Sequence, residues 1–210
     1  MGQIIDVSMD VYPGMPVWEG DDGVELRRTM KIEDGALANV SRIRCSVHTG
    51  THVDAPLHYL DGGESVDQIP LNVLIGPAWV ADIPIRRRID AADLAKAGIP
   101  EGTERLLLKT RNSQFLGSQT EFKTDYAGLT VSGAEWILTK GIRLVGNDYL
   151  SVASRDQNDP VHRMLLGDGV VLVEGISLGK IPAGACTFYC LPLKLMGSDG
   201  APARAAVEVG

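Results

Sequence analysis

Residues 46–58 read SVHTGTHVDAPLH, and no regular element accommodates them as they stand. His48 and His52 are spaced to share a helix face, but Asp54, six residues after His48, points well away from it. Gly50 and Pro56 argue further against a helix. On a straight strand the even spacing puts all three on one face. Four residues of strand, however, span roughly 13 Å, too far for two imidazoles to reach one ion at bonds of about 2.0–2.2 Å. The chain is therefore expected to bend at Thr49-Gly50-Thr51, with Gly50 supplying the backbone freedom.

Histidine is scarce in this chain: three of its four histidines, His48, His52 and His58, lie in this stretch. A lone histidine usually belongs to a core or a surface. Three within eleven residues, with an aspartate and a glycine between them, read instead as a metal site. Imidazole and carboxylate without thiolate suit zinc, manganese or iron. Structural zinc sites usually close with cysteines, and only Cys45 is near, so a set of N and O ligands with open positions points to catalysis. The fourth histidine, His162, follows NDPV in what reads as a loop made by SRDQND and Pro160. Glu174 comes twelve residues later at the end of the strand-like GVVLVE. Alone, Glu174 reads as a solvated strand-end charge; beside a remote ligand cluster, His162 and Glu174 become candidates to complete it.

Around this cluster the pattern alternates strands with a few short helices. Period-two or apolar runs predict strands at IIDVSM, VSRIRCSVH, GPAWVADIP, ERLLLKT, IRLVGND, GVVLVEGI and CTFYCLPL. DAADLAKAG reads as a helix capped by Asp90 and stopped by Gly98, and SGAEWILTKG as one capped by Ser132 and stopped by Gly141. No repeat or linker divides residues 1–210, so one α/β domain is expected, with a barrel-like or layered mixed sheet. Cys186 and Cys190 fall on one strand face and read as core thiols. A net charge of −7 disfavours nucleic acid, and no apolar run approaches the ~20 residues of a membrane helix. The opening MGQIIDVSM has no basic segment followed by an apolar one, so a soluble, cytoplasmic protein is the expectation.

The motifs resemble the metal-dependent cyclase family, which includes bacterial kynurenine formamidase (arylformamidase) and isatin hydrolase. The resemblance runs from DVSMDVYPGMPVWEGD through HTGTHVDAPLHY and VGNDYLSV to VLVEGISLGKIPAGACTFYCLPLKLMGSDGAPARA. It implies a swivelling β/β/α fold, assembled as a homodimer or homotetramer. It implies one or two divalent ions, zinc or manganese, held by His48, His52, Asp54, His162 and Glu174, with Asp54 able to bridge two. It also implies His58 as the acid/base and Trp18 as the residue that packs against substrate. Where many formamidases carry a second histidine after the ligand at His162, this chain has Arg163.

The chemistry expected from these residues is amide hydrolysis. A divalent ion lowers the pKa of bound water from about 15.7 towards 7, and His58 serves first as base and then as acid for the departing nitrogen. The expected substrate is a small amide, an N-formyl arylamine such as N-formylkynurenine, with Trp18 offering an aromatic face. Opening of a cyclic amide or lactone, or its reverse, is the second expectation. A non-catalytic metal-binding module is the third, and an unligated His58 beside the ligands argues against it.

Overall fold

The computed structural model describes residues 2–85, 87–117, 119 and 121–210. In chain order its strands are β1 (Gln3–Asp6), β2 (Glu25–Met30), β3 (Val40–Arg44), β4 (His52–Asp54), β5 (Ile75–Ile83), β6 (Arg88–Ile89), β7 (Arg105–Thr110), β8 (Gly128–Leu129), β9 (Leu144–Asn147), β10 (Val171–Glu174), β11 (Gly184–Pro192) and β12 (Gly200–Val209). The helices are α1 (Leu71–Leu74), α2 (Ala91–Lys96), α3 (Val131–Thr139) and α4 (Asn158–Gly167). The main sheet runs β1-β12-β11-β5-β7-β9-β10-β4, and β4 pairs again with β12, closing the sheet into a barrel-like ring. Strands β5, β7, β9 and β10 are mutually parallel. Parallel neighbours need crossovers, and α2, α3 and α4 supply them. The α/β class and the mixed barrel-like sheet with few short helices are as the sequence implied.

Period two explains how one run of leucines fills two cores. In β7, Leu107 points into the ring with Val53, Phe188 and Val207. Its neighbours Leu106 and Leu108 point outward against Leu94 of α2, Ile137 of α3 and Leu165 of α4. In β10, Val173 likewise faces the inside and Leu172 the helices. Strands buried on both faces read as continuous apolar runs. Leu107 is fully buried, so truncation to alanine should cost about 2–5 kcal/mol.

Helix ends follow local chemistry, with two corrections to the sequence reading. At α2 the expected cap holds: Asp90 and Asp93 form a reciprocal capping box. At α3 the cap is Thr130, not Ser132; its Oγ1 accepts the Gly133 amide at 3.3 Å. His162 does not lie in a loop but in the middle of α4. Pro160 is the third residue of that helix, in the first turn, where a missing N–H leaves no bond unmade.

Cys186 and Cys190 share a face of β11, and all three cysteines are free. Burial pushes the Cys190 thiol up to about 12 and Cys186 to about 11. Among the described residues no helix is long and apolar enough to cross a membrane. Among the described residues strands β2 and β3 pair only with each other, as a ribbon exposed on both faces.

Candidate active site

The predicted bend is present. Strand β3 ends at Arg44, the chain turns through residues 47–51, and β4 begins at His52. Gly50 sits at φ +67°, and Gly175, which follows Glu174, at φ +71°; only glycine adopts this region without strain. The two turns touch: a Cβ on Gly175 would stand 2.4 Å from the Gly50 carbonyl oxygen. Thr51 fastens them by donating its hydroxyl to the Gly175 carbonyl at 2.6 Å and accepting the Met9 amide at 2.8 Å. Strand β10 pairs with β4 so that Glu174 lies opposite His52. This register carries a residue 122 positions away to the cluster.

His48, His52, Asp54, His162 and Glu174 converge, and His52, Asp54, His162 and Glu174 are buried. Glu174 is therefore not a solvated strand-end charge. His52 Nδ1 donates to the Gly50 carbonyl at 3.0 Å, and His162 Nδ1 to the Asn158 carbonyl at 2.8 Å. These bonds assign the tautomers and leave both Nε2 lone pairs aimed at carboxylates. His52 Nε2 lies 3.3 Å from Asp54 Oδ1 and 3.5 Å from Glu174 Oε2. His162 Nε2 lies 3.2 Å from Glu174 Oε1 and 3.9 Å from Asp54 Oδ2. Acceptors facing acceptors in a buried site require a cation between them.

The donor set fits a divalent metal ion. Tetrahedral ligands at about 2.1 Å from one ion stand about 3.4 Å apart, close to three of these four separations. The buried Asp54 Oδ2 has no hydrogen-bond partner among the described residues. Asp54 also faces two ways, Oδ1 towards His48 and His52 and Oδ2 towards His162.

Without an ion, protons fill the same need. Burial works against a charged His48, but the hydrogen bond and charge of Asp54 outweigh it and raise the imidazole to about 9. His52 and His162 move up against the same burial cost, by Asp54 and Glu174 respectively. Asp54 is itself drawn well below the carboxylate range, since the hydrogen bonds of His48 and His52 outweigh its burial. His58 differs. Burial holds it below the ordinary histidine range, so it stays neutral, free to accept a proton. Its ring packs 4.0 Å from that of His48, centroid to centroid.

His48, His52, His58, His162 and Glu174 line a cavity of about 130 Å³ with Trp18, Tyr59, Leu150 and Asn158 on its walls. Trp18 is held edge-on by Phe122, with centroids 5.0 Å apart. Arg163 is exposed and is not among the residues that line the cavity. It donates to the Tyr59 carbonyl at 2.8 Å and lies 5.6 Å from the centre of the Tyr59 ring, which also packs edge-on with His58 and stacks on His162. Arg163 therefore braces Tyr59, a residue of the wall, and places no charged group on the cavity lining.

Asp199 escaped the sequence reading. Its Oδ2 is 2.8 Å from His48 Nε2 and 3.6 Å from His58 Nδ1. It lies within GSDG, whose residue types read as a turn. The one available signal was its place in the LMGSDGAPARA motif. Gly200 beside it lets the His48 ring approach, since a Cβ there would meet His48 Cε1 at 2.8 Å.

Residues 5–154 match the Cyclase family model. Cyclase-like protein 3 of Oryza sativa subsp. japonica is 41% identical over 97% of this chain and 78% of its own length. The kynurenine formamidase of Salinibacter ruber is 36% identical over 98% of this chain and 97% of its own. A solved structure described as a potential metal-dependent hydrolase with cyclase activity superposes with a TM-score of 0.85 at 36% identity, covering 99% of this chain and 98% of that one. With the fold shared end to end and the family model spanning the HTGTHVDAPLH turn, this chain belongs to the cyclase family.

Proposed function

We propose that the chain is a metal-dependent amide hydrolase acting on a non-peptide C–N bond, and that its substrate is an N-formyl arylamine of the N-formylkynurenine type. One observation carries the reading: two buried carboxylates face two imidazole lone pairs, beside a histidine kept neutral in a cavity walled by tryptophan. The similarity to a kynurenine formamidase over nearly the whole of both chains supports the substrate.

His48, His52, Asp54, His162 and Glu174 would hold zinc or manganese, one or two ions. When bound, the metal supplies Lewis acidity that acidifies water and stabilises negative charge on a carbonyl oxygen. His58 takes the proton from the attacking water as oxygen adds to the formyl carbon. It then gives that proton to the nitrogen as the C–N bond breaks, releasing formate and the arylamine. The Trp18 ring offers a flat apolar face to the aryl group. A formyl carbon is small enough for a cavity of this size.

The test is turnover of a panel of formyl-arylamides, lactams and lactones by zinc- or manganese-loaded protein and by chelated protein. Release of formate and arylamine from N-formylkynurenine by the loaded protein alone is expected. Inertness towards formyl-arylamides with turnover of a lactam or lactone would overturn the substrate and leave the hydrolase class standing.

A further inference from the structure

The loop that presents Trp18 reads WEGDD, and its three carboxylates differ in what they hold. Glu19 pairs with Arg155 at 2.6 Å and Asp22 with Arg44 at 3.0 Å. Both pairs lie at the surface, and they fix the loop on either side of Asp21. Asp21 is half-buried, and no ion pair or hydrogen bond meets its carboxylate among the described residues. Its backbone amide donates to the Trp18 carbonyl at 3.1 Å, so one turn carries both side chains. Both residues line the cavity.

A carboxylate drawn part-way out of water gains from a partner, and this wall supplies none. No lysine or arginine is among the residues that line the cavity. Neither group of side chains close enough to share a metal ion includes Asp21. Glu174, the other carboxylate of the lining, is engaged with His52, His162 and the Val152 amide. Asp21 is thus the one acid of the lining without a protein partner among the described residues, a turn away from the aromatic face of Trp18. What complements it is a cation brought in by the substrate, on the aryl portion that lies against that face.

We propose that Asp21 is a specificity-determining residue that binds an ammonium group on the aryl side chain of the substrate. The proposal rests on the amide-hydrolase reading of this cavity and narrows its substrates to N-formyl arylamines that carry an amine. With the ring on Trp18 and the formyl group beside His58, an ammonium on a short ring substituent donates its N–H groups to the Asp21 carboxylate. An amino-acid substituent engages Asp21 through its ammonium end. Asp21 touches no bond that forms or breaks; it sets which arylamide is held. A substituent ending only in a carboxylate meets like charge there instead and is disfavoured.

The test compares two formyl-arylamides on metal-loaded protein: one with a ring substituent ending in a primary amine, the other with that amine acetylated. Wild type should favour the amine about tenfold in kcat/KM, the scale of one charge-assisted hydrogen bond at a partly exposed site. Asp21→Asn should bring the two compounds close to parity, chiefly through KM. Asp21→Lys should turn the preference towards a carboxylate-ended analogue. The two deformylated arylamines, titrated by calorimetry, read the same preference without turnover. If the formyl compounds are inert yet the amine-bearing arylamine binds more tightly in an Asp21-dependent way, the substrate reading falls and the role of Asp21 stands. Equal kcat/KM and equal affinity for the two compounds in wild type would overturn the proposal, whatever the folding of the variants. So would a preference that survives Asp21→Asn.

Discussion

The Asp199 carboxylate stands 2.8 Å from His48 Nε2, while 2.8 Å from the other ring nitrogen lies Asp54. Imidazole ligands are commonly oriented by an outer carboxylate, and losing it typically costs about 10–100-fold in metal affinity or activity. Asp199→Ala should fall in that range by competition titration with a chelating dye, and Asp199→Asn less far, since its amide oxygen still accepts from Nε2–H. Wild-type affinity in Asp199→Ala would remove this role.

His58 should separate from the ligands by mutation. We predict that His58→Ala keeps its metal but turns over about 10²–10⁴-fold more slowly, the usual contribution of general acid–base catalysis. His52→Ala should lose metal and activity together. Elemental analysis beside kcat decides it; a His58→Ala protein purified empty and unable to reload would make His58 a ligand.

The chelated protein should respond to pH in a direction opposite to simple acid denaturation. His48 is raised from 6.5 to about 9 when folded, and His52 and His162 are also raised. A raised folded pKa means the native state binds more protons than the unfolded state between the two values. The stability these histidines provide is full below 6.5 and drains away as pH climbs through about 9. The melting temperature of metal-free protein should fall across that window, and loaded protein should not show this loss, because ligation needs the neutral imidazoles. A metal-free protein that gains stability over the same range would contradict the assignment.

Trp18 is predicted to matter by substrate class. Trp18→Ala should cost aryl substrates up to about 1.5 kcal/mol more in kcat/KM than small aliphatic amides, one aromatic contact's worth. Phe122→Ala should give a smaller effect of the same sign, because Phe122 holds the Trp18 ring. Equal losses on both substrate classes would reduce Trp18 to packing.

Asp148 offers a test of the scaffold apart from chemistry. Its buried carboxylate accepts the Thr110 and Ser113 amides at 2.7 and 2.9 Å, and both of their hydroxyls as well. Asp148→Ala should lower unfolding stability in urea by roughly 3 kcal/mol or more, since several buried donors lose a charged acceptor together. A change below about 1 kcal/mol would mean that water replaces the carboxylate there.

What the sequence disclosed, and what it hid, divides along physical lines. The bend at Gly50, the strands carrying Leu107 and Val173, and the Asp90 cap were legible because each rests on chemistry within a few residues. Pro160 misled because a proline in a first helical turn and a proline in a loop look alike until the fold declares which is present. Strand β12, GAPARAAVEV, drew no strand prediction, since alanine and proline carry little strand preference; its three partners β1, β11 and β4 impose it. The alternation of VSRIRCSVH correctly announced a strand, but period two says nothing about what covers its faces, and among the described residues β3 is exposed along its whole length. Asp199 was invisible for the same reason as β12: its partners are 151 and 141 residues away.

The pairing of Gly200 with Asp54 and of Pro202 with His52 has a consequence for how the molecule comes into being. Contacts this distant in sequence form late and slowly, because the intervening chain must first be gathered in. While a nascent chain is being made, the histidine turn emerges long before the strand that closes the ring around it. In that interval β4 is an open edge bearing His52 and Asp54, two of the side chains proposed to hold the metal. An ion that is captured then would meet a floppy peptide and exchange readily; one that arrives after β12 has docked meets a finished pocket. If the proposed site is loaded in the cell, choice of metal becomes partly a question of timing, decided by whether loading precedes or follows the last strand.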